Sequence, residues 1–428
     1  MRVSANLTVT ALITSHISRS PYFQLTMNNA FTKLQVKNCH FNKFTAPLVQ
    51  SFSRNTHILL KSSRATNFLQ SVLRVDSTAI TYRELIENAV TNMNMGRNVE
   101  DVACQEMVFK NCTTAYDGGA VFVIIGGIFY CNFTAFDNCY TNPDYIGGAV
   151  YCIANATNFT GDCFRSCFAK KGCAIMNPET NYQFSMELCQ MNDIIPDSAK
   201  YNNPARVVDV YARDILILGS NISNIKLSQI VRFIPTQNFV CNFTNYENAV
   251  VDGAKYKAMF KFDKMNRQMY ISYVNFDNCS INNNGTELGY LFNINGYSIS
   301  INNSIIVKSK FDSFSYGDNV TVYISNSVFD FSKDKIVNVT TEEVNVTYDA
   351  SNAKPLDLTP VSTKGCWFHS TYKWERPPLK SQGMILGFMA LAVIVTVCIL
   401  IWKKRSLDKQ KPVDEDDEAE MLMAGSGQ

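Results

Sequence analysis

Seven cysteines carry the densest potential chemistry in this chain: Cys131, Cys139, Cys152, Cys163, Cys167, Cys173 and Cys189. Thirteen of the fourteen cysteines precede Met384, and in an oxidising compartment such a cluster forms disulfides that brace neighbouring segments. Two other readings compete. Zinc needs paired ligands, and the gaps between Cys152, Cys163, Cys167 and Cys173 lack the C-x2-C spacing. Buried thiols stacked in parallel need no partner at all, because equivalent side chains in adjacent repeats point the same way. Acid–base chemistry is poorly furnished. His16, His40, His57 and His369 stand in motifs of no chemical specificity, and Asp209, Asp214, Asp312, Asp330 and Asp334 are scattered. No catalytic residue, cofactor or metal is expected, although cleavage of acidic polysaccharides is the rival reading from another functional class.

The elements that position these cysteines repeat. F-K-N-C, F-D-N-C and F-R-S-C begin at Phe109, Phe136 and Phe164, and place Cys112, Cys139 and Cys167 at intervals of 27 and 28 residues. G-G-A-V follows twice, from Gly118 and Gly147, and C-A-I once, from Cys173. A fixed period of this size marks a solenoid. The Phe and the β-branched residues belong on short strands facing a narrow core. Asn111 and Asn138 suit corners that demand a left-handed backbone. The loops before the Gly pairs differ in length, as insertions on one face of a parallel β-helix allow.

The pattern F-x-N-C…G-G-A-V resembles the polymorphic membrane protein repeats of bacterial outer-membrane proteins and the related right-handed β-helix surface proteins of protists. That family pattern is usually F-x-x-N with G-G-A-I, and the clear cover here is about residues 105–175. Weaker echoes stand at Val36–Cys39, Phe239–Cys241 and Val274–Cys279. The resemblance implies a cell-surface solenoid and brings no catalytic residue with it.

The expected fold class is therefore all-β, a right-handed parallel β-helix ectodomain followed by one C-terminal transmembrane helix. Residues 1–19 read as a weak or incomplete signal region and 20–349 as the β-helix. Within it, Thr81-x-x-Glu84 and the apolar face of 81–95 predict a helical insertion. A separate β-sandwich over 200–350 is the alternative for the later strands. Proline-rich 350–383 reads as a stalk. The charge-free stretch 384–402 is long enough to cross a bilayer, and Lys403-Lys404-Arg405 place the acidic tail, 403–428, in the cytosol.

Thirteen N-x-[ST] sequons precede that span and none follows, with Asn155, Asn284 and Asn345 the expected glycan acceptors. In the tail, Glu418 with Leu422 and Met423 resembles the acidic dileucine signals read by clathrin adaptors. The net charge of +2 argues against nucleic acid as a partner. The expected protein is a single-pass plasma-membrane glycoprotein that contacts a host cell, matrix or glycan, with aromatic loops such as Tyr140–Tyr145 as contact candidates. A sorting receptor and a passive coat or antigen are the alternatives.

Overall fold

The computed structural model describes residues 5–15, 20–25, 32–52, 56–77, 101–196, 206–252, 258–263, 267–282, 288–295, 298–317, 320–337 and 339–358. All of them belong to the first of two compact units, 1–368. Each repeat folds as one coil of a parallel β-helix with three strand-bearing faces. The first face stacks Ala5–Thr10, Thr32–Lys37, Thr56–Lys61, Asp101–Gln105 and Ile128–Asn132 in register. The second stacks Ile13–Ser15, His40–Phe44, Arg64–Phe68, Val108–Lys110, Ala135–Asp137 and Cys163–Arg165. The third holds Phe23–Leu25, Val49–Ser51, Leu73–Asp76 and Val121–Ile124. From residue 150 onward the third and first faces are joined by long strands, Val150–Thr160, Ile175–Glu187, Val208–Leu218 and Val231–Asn242. Register shifts interrupt the pairing where these strands turn the corner.

Alternation of apolar and polar residues fixes which side chains enter the core, because successive side chains on a strand point to opposite faces. Phe109, Phe136 and Phe164 all point inward, and their rings stack with centroids 5.1 and 4.8 Å apart. That is the distance between neighbouring strands, so each ring lies flat on the next. Burying one such side chain contributes about 1.5–3 kcal/mol.

Two corners of each coil turn through a left-handed residue. The first-face strands end at residues such as Asn38, Ser62, Glu106, Phe133 and Leu188, with φ from 45° to 54°. The second-face strands turn at Asn67, Asn111, Asn138, Asn224, Asn248 and Asn278, with φ from 52° to 57°. Asn tolerates this conformation, and its amide adds a ladder. Asn138 donates to Asn111 Oδ1 at 2.9 Å, and Asn111 donates to Asn67 Oδ1 at 3.0 Å. The G-G step has a steric cause. Gly118 has φ +73°, and a Cβ on Gly119 would stand 1.9 Å from the carbonyl oxygen of Gly148 in the next coil.

The coils continue in parallel past residue 200. Asn275–Asp277, Ile305–Val307 and Val328–Phe329 extend the second face, so residues 200–350 belong to the same solenoid and form no separate sandwich. Ala5–Thr10 and Ile13–Ser15, inside the stretch read as a signal region, are strands of the first coil. At the far end Tyr348 packs on Phe329 and Phe331 at 5.6 and 6.3 Å. The chain then runs back along the second face, where Asn275 and Leu356 exchange two hydrogen bonds of 2.8 Å. The expected helix at 81–95, the span at 384–402 and the tail lie outside the described residues. Among those described, no helix is long and apolar enough to cross a membrane.

Candidate functional site

The cysteine cluster is built for packing. Cys131, Cys139, Cys152, Cys167, Cys173 and Cys189 are buried free thiols, which corrects the expectation of disulfides for these six; Cys163 stands apart from the free set. The reason is the geometry of a parallel stack. Cys112, Cys139 and Cys167 follow the left-handed corner in successive coils with their side chains aligned. Each thiol donates to a carbonyl one coil back, Ala65, Phe109 and Phe136 respectively, at 3.6–3.7 Å. Desolvation pushes the Cys139 and Cys167 thiols well up, and those of Cys152 and Cys173 to about 12. Such thiols are not nucleophiles. Among the described residues no cluster of three or more His, Cys, Asp or Glu side chains could hold a metal.

A second buried column follows the first corner. Ser63, Thr134, Ser220, Thr244, Ser304 and Ser327 point inward, and each hydroxyl donates to the carbonyl two residues earlier, at 2.7–3.3 Å. Their oxygens also accept backbone N–H groups from the preceding coil, as Ser304 Oγ does from Val274 and Ser327 Oγ from Ser304, both at 3.2 Å. Asp162 occupies this column, fully buried, accepting Thr134 N–H at 2.7 Å and Thr160 N–H at 3.1 Å. Burial raises its carboxyl well above the usual range, against the lowering effect of those bonds.

The same geometry explains many of the sequons. In Asn132-Phe133-Thr134, Asn242-Phe243-Thr244 and Asn302-Asn303-Ser304 the hydroxyl residue is the buried column, so N-x-[ST] is here the signature of a corner. Asn111 and Asn278 stand at the left-handed corner with their amides committed to the ladder; Asn278 donates to Asn248 Oδ1 at 2.7 Å. Of the expected glycan acceptors, Asn155 is half-buried and donates to the Gly126 carbonyl. Asn345 is exposed at the far end of the first-corner column and donates to Asn326 Oδ1 at 2.9 Å. Asn284 lies outside the described residues, as do Glu418, Leu422 and Met423.

What remains for recognition is the outer surface of the strands. On the first face a shallow concavity of about 550 Å3 is lined by Lys33, Gln35, His57, Asp101, Gln105 and Tyr130, among others. His57 Nδ1 stands 3.6 Å from Asp101 Oδ2, and Asp101 Oδ1 is buried without a hydrogen-bond partner. On the second face a smaller concavity, about 260 Å3, is lined by His40, Asn42, Arg64, Thr66, Lys110 and the amides of Asn67 and Asn111. Arg64 Nε is likewise buried and unpartnered. Burial, with the nearby Arg64 charge, lowers the His40 pKa. The Tyr140–Tyr145 loop does form an aromatic surface: Tyr145 meets Tyr116 edge-on at 5.8 Å, and Asp117 Oδ1 accepts the Ile146 N–H at 2.9 Å.

No family model, curated protein or solved structure matches this chain. The parallel β-helix therefore rests on the strand pairing itself, and kinship with the polymorphic membrane protein repeats is a matter for proposal.

Sequence reasoning missed the concavities because their residues are far apart in the chain: His57 and Asp101 become neighbours only through strand register. One signal was legible in part. The first 77 residues hold nine Lys or Arg (Arg2, Arg19, Lys33, Lys37, Lys43, Arg54, Lys61, Arg64 and Arg74) and a single acid, Asp76. The overall charge of +2 conceals this.

Proposed function

We propose that this protein is a single-pass plasma-membrane glycoprotein of the polymorphic membrane protein type found in protists, and that its β-helix is an adhesive platform for a host-cell, matrix or glycan partner. The observation that carries this reading is the form of the outer surface. An unbroken stack presents strand faces with broad, open concavities lined by amides, hydroxyls and a tyrosine, which suits contact with an extended surface or polymer. In this reading 384–402 crosses the membrane, and Glu418, Leu422 and Met423 govern internalisation through a clathrin adaptor. The test displays the full chain, tagged at each end, on cultured cells. Antibody labelling of the N-terminal tag alone in intact cells, with saturable attachment of those cells to partner cells or a glycan-coated surface, is the expected result. Labelling of the C-terminal tag in intact cells, or attachment no greater than that of mock-transfected cells, would overturn it.

The His57–Asp101 pair supports a second reading, a polysaccharide lyase or hydrolase. An imidazole beside a carboxylate in a concavity lined by Lys33, Gln35 and Tyr130 is an acid–base pair within reach of a sugar chain. Release of reducing or unsaturated ends from pectin-like substrates, lost in Asp101→Asn, would establish it.

A further inference from the structure

The cations of the stack fall into two populations. From Lys110 onward, strand-borne cations are paired with acids of the same or a neighbouring coil: Lys110 and Arg165 with Asp137 at 3.2 and 3.0 Å, Lys226 with Asp252 at 2.8 Å, Arg232 with Asp263 at 3.0 Å. The first coils lack the acids to do this. Lys37 and Lys61 are register neighbours on the first face, and three residues further along the chain His40 and Arg64 are register neighbours on the second. The four side chains thus flank one corner in two adjacent coils, about 4.8 Å apart along the stack. Lys33 and Lys43 extend the patch on either side, both exposed. Among the described residues the nearest acid along this corner is Glu106, one coil on, which accepts a hydrogen bond from Ser62.

We propose that this corner of the first coils binds an acidic polysaccharide, a polymer bearing sulfate or uronate groups. The ligand class follows from three observations. Lys37, Lys61 and Arg64, which make no ion pair among the described residues, create a local positive potential that attracts a polyanion. Arg64 lines the second-face concavity beside the corner, where a guanidinium suits an anionic group. The concavities on both sides supply what a sugar needs and a bare phosphate does not: the amides of Gln35, Gln105, Asn42 and Asn67 for hydroxyls. A single-stranded nucleic acid would want successive aromatic platforms, and Tyr130 is the only aromatic side chain lining either concavity. This inference deepens the adhesive reading and rests on it for its biological setting, whereas the binding itself is tested separately.

The experiment uses the full chain in detergent, with immobilised heparin as the probe. Wild type is expected to bind saturably and to weaken as salt rises. Lys37→Gln/Lys61→Gln/Arg64→Gln should bind about tenfold more weakly or worse, and Lys226→Gln/Lys308→Gln, which removes paired cations far from the corner, should bind as wild type. All three substituted side chains face outward, so an unchanged melting temperature separates lost binding from lost folding. Three results would overturn the proposal: no saturable binding at low salt, equal loss in both variants, or competition by oligo-dT or phosphatidylserine vesicles as effective as that by soluble heparin. Cell attachment distinguishes the two claims. If cells bearing the triple variant attach as well as wild type although heparin binding is lost, this corner is not the adhesive site and the adhesive reading survives. If wild-type protein binds heparin and its cells attach to nothing, the corner stands and the adhesive reading falls.

Discussion

The coils between Thr32 and Asp76 and those from Asp101 onward share one backbone and differ in what their columns contain. In the later coils Asp137 lies between Lys110 and Arg165, and Phe136 lies between two parallel rings. In the earlier coils the residues in register with Phe41 are Thr14 and Ala65, and Lys37 and Lys61 stand side by side with no acid between them. A repeated fold thus leaves its outward columns free to be neutralised or left charged. The unpaired cations of the first coils add no ion pair to the fold, which leaves them free to meet a ligand.

Substitutions can break this comparison. Phe136→Ala removes a ring stacked on both sides and should cost about 3–5 kcal/mol in urea unfolding, more than Phe41→Ala, whose register neighbours are small. Asp137→Asn leaves two cations facing each other over a nearly buried site, and the expected loss is about 1–3 kcal/mol. Lys61→Gln, by contrast, should change stability by no more than about 0.5 kcal/mol. Equal effects from these last two would erase the distinction between paired and unpaired coils. At the corner, Asn138→Ala loses both the ladder bond to Asn111 and a residue type that accepts a left-handed backbone, an expected cost of about 1–2 kcal/mol, with Asn138→Gly losing less.

The remaining test is a pH dependence. The folded pKa of Asp162 is raised by burial, so its contribution to stability is full below the pKa of the unfolded carboxyl, about 3.9, and is lost as pH rises toward the folded value. Unfolding midpoints at pH 4.5 and 7.5 should differ less in Asp162→Asn than in wild type. An unchanged difference would show that the folded carboxyl is not raised above its unfolded value.

Much of the fold was legible because a single motif encodes one coil. F-x-N-C maps directly onto an inward ring, an outward residue, a left-handed corner and a buried thiol, as Phe109 to Cys112 show. The weaker echoes were only partly equivalent. Val274–Cys279 is the same corner, whereas Val36–Cys39 forms the first corner of its coil, and Cys241 lies on a first-face strand in register with Ile217 and Ile271. Left-handed turns favour Asn wherever they occur, so the motif names a backbone conformation without naming its place in the coil. Six of the seven clustered cysteines misled for a related reason. Density in sequence suggested bridges, but residues one coil apart align in parallel and do not face each other.

The sequence by itself determined the all-β class, the coil period near 28 residues and the chemistry of the corners, since these depend on local alternation and on which residues accept a left-handed backbone. Only the tertiary structure decided which side chains share a surface. Strand register set His57 beside Asp101 and Lys37 beside Lys61, pairs separated by 44 and 24 residues. The two separations differ, so no spacing rule in the chain predicts those neighbours; the hydrogen-bonded stacking of one coil on the next alone brings them together.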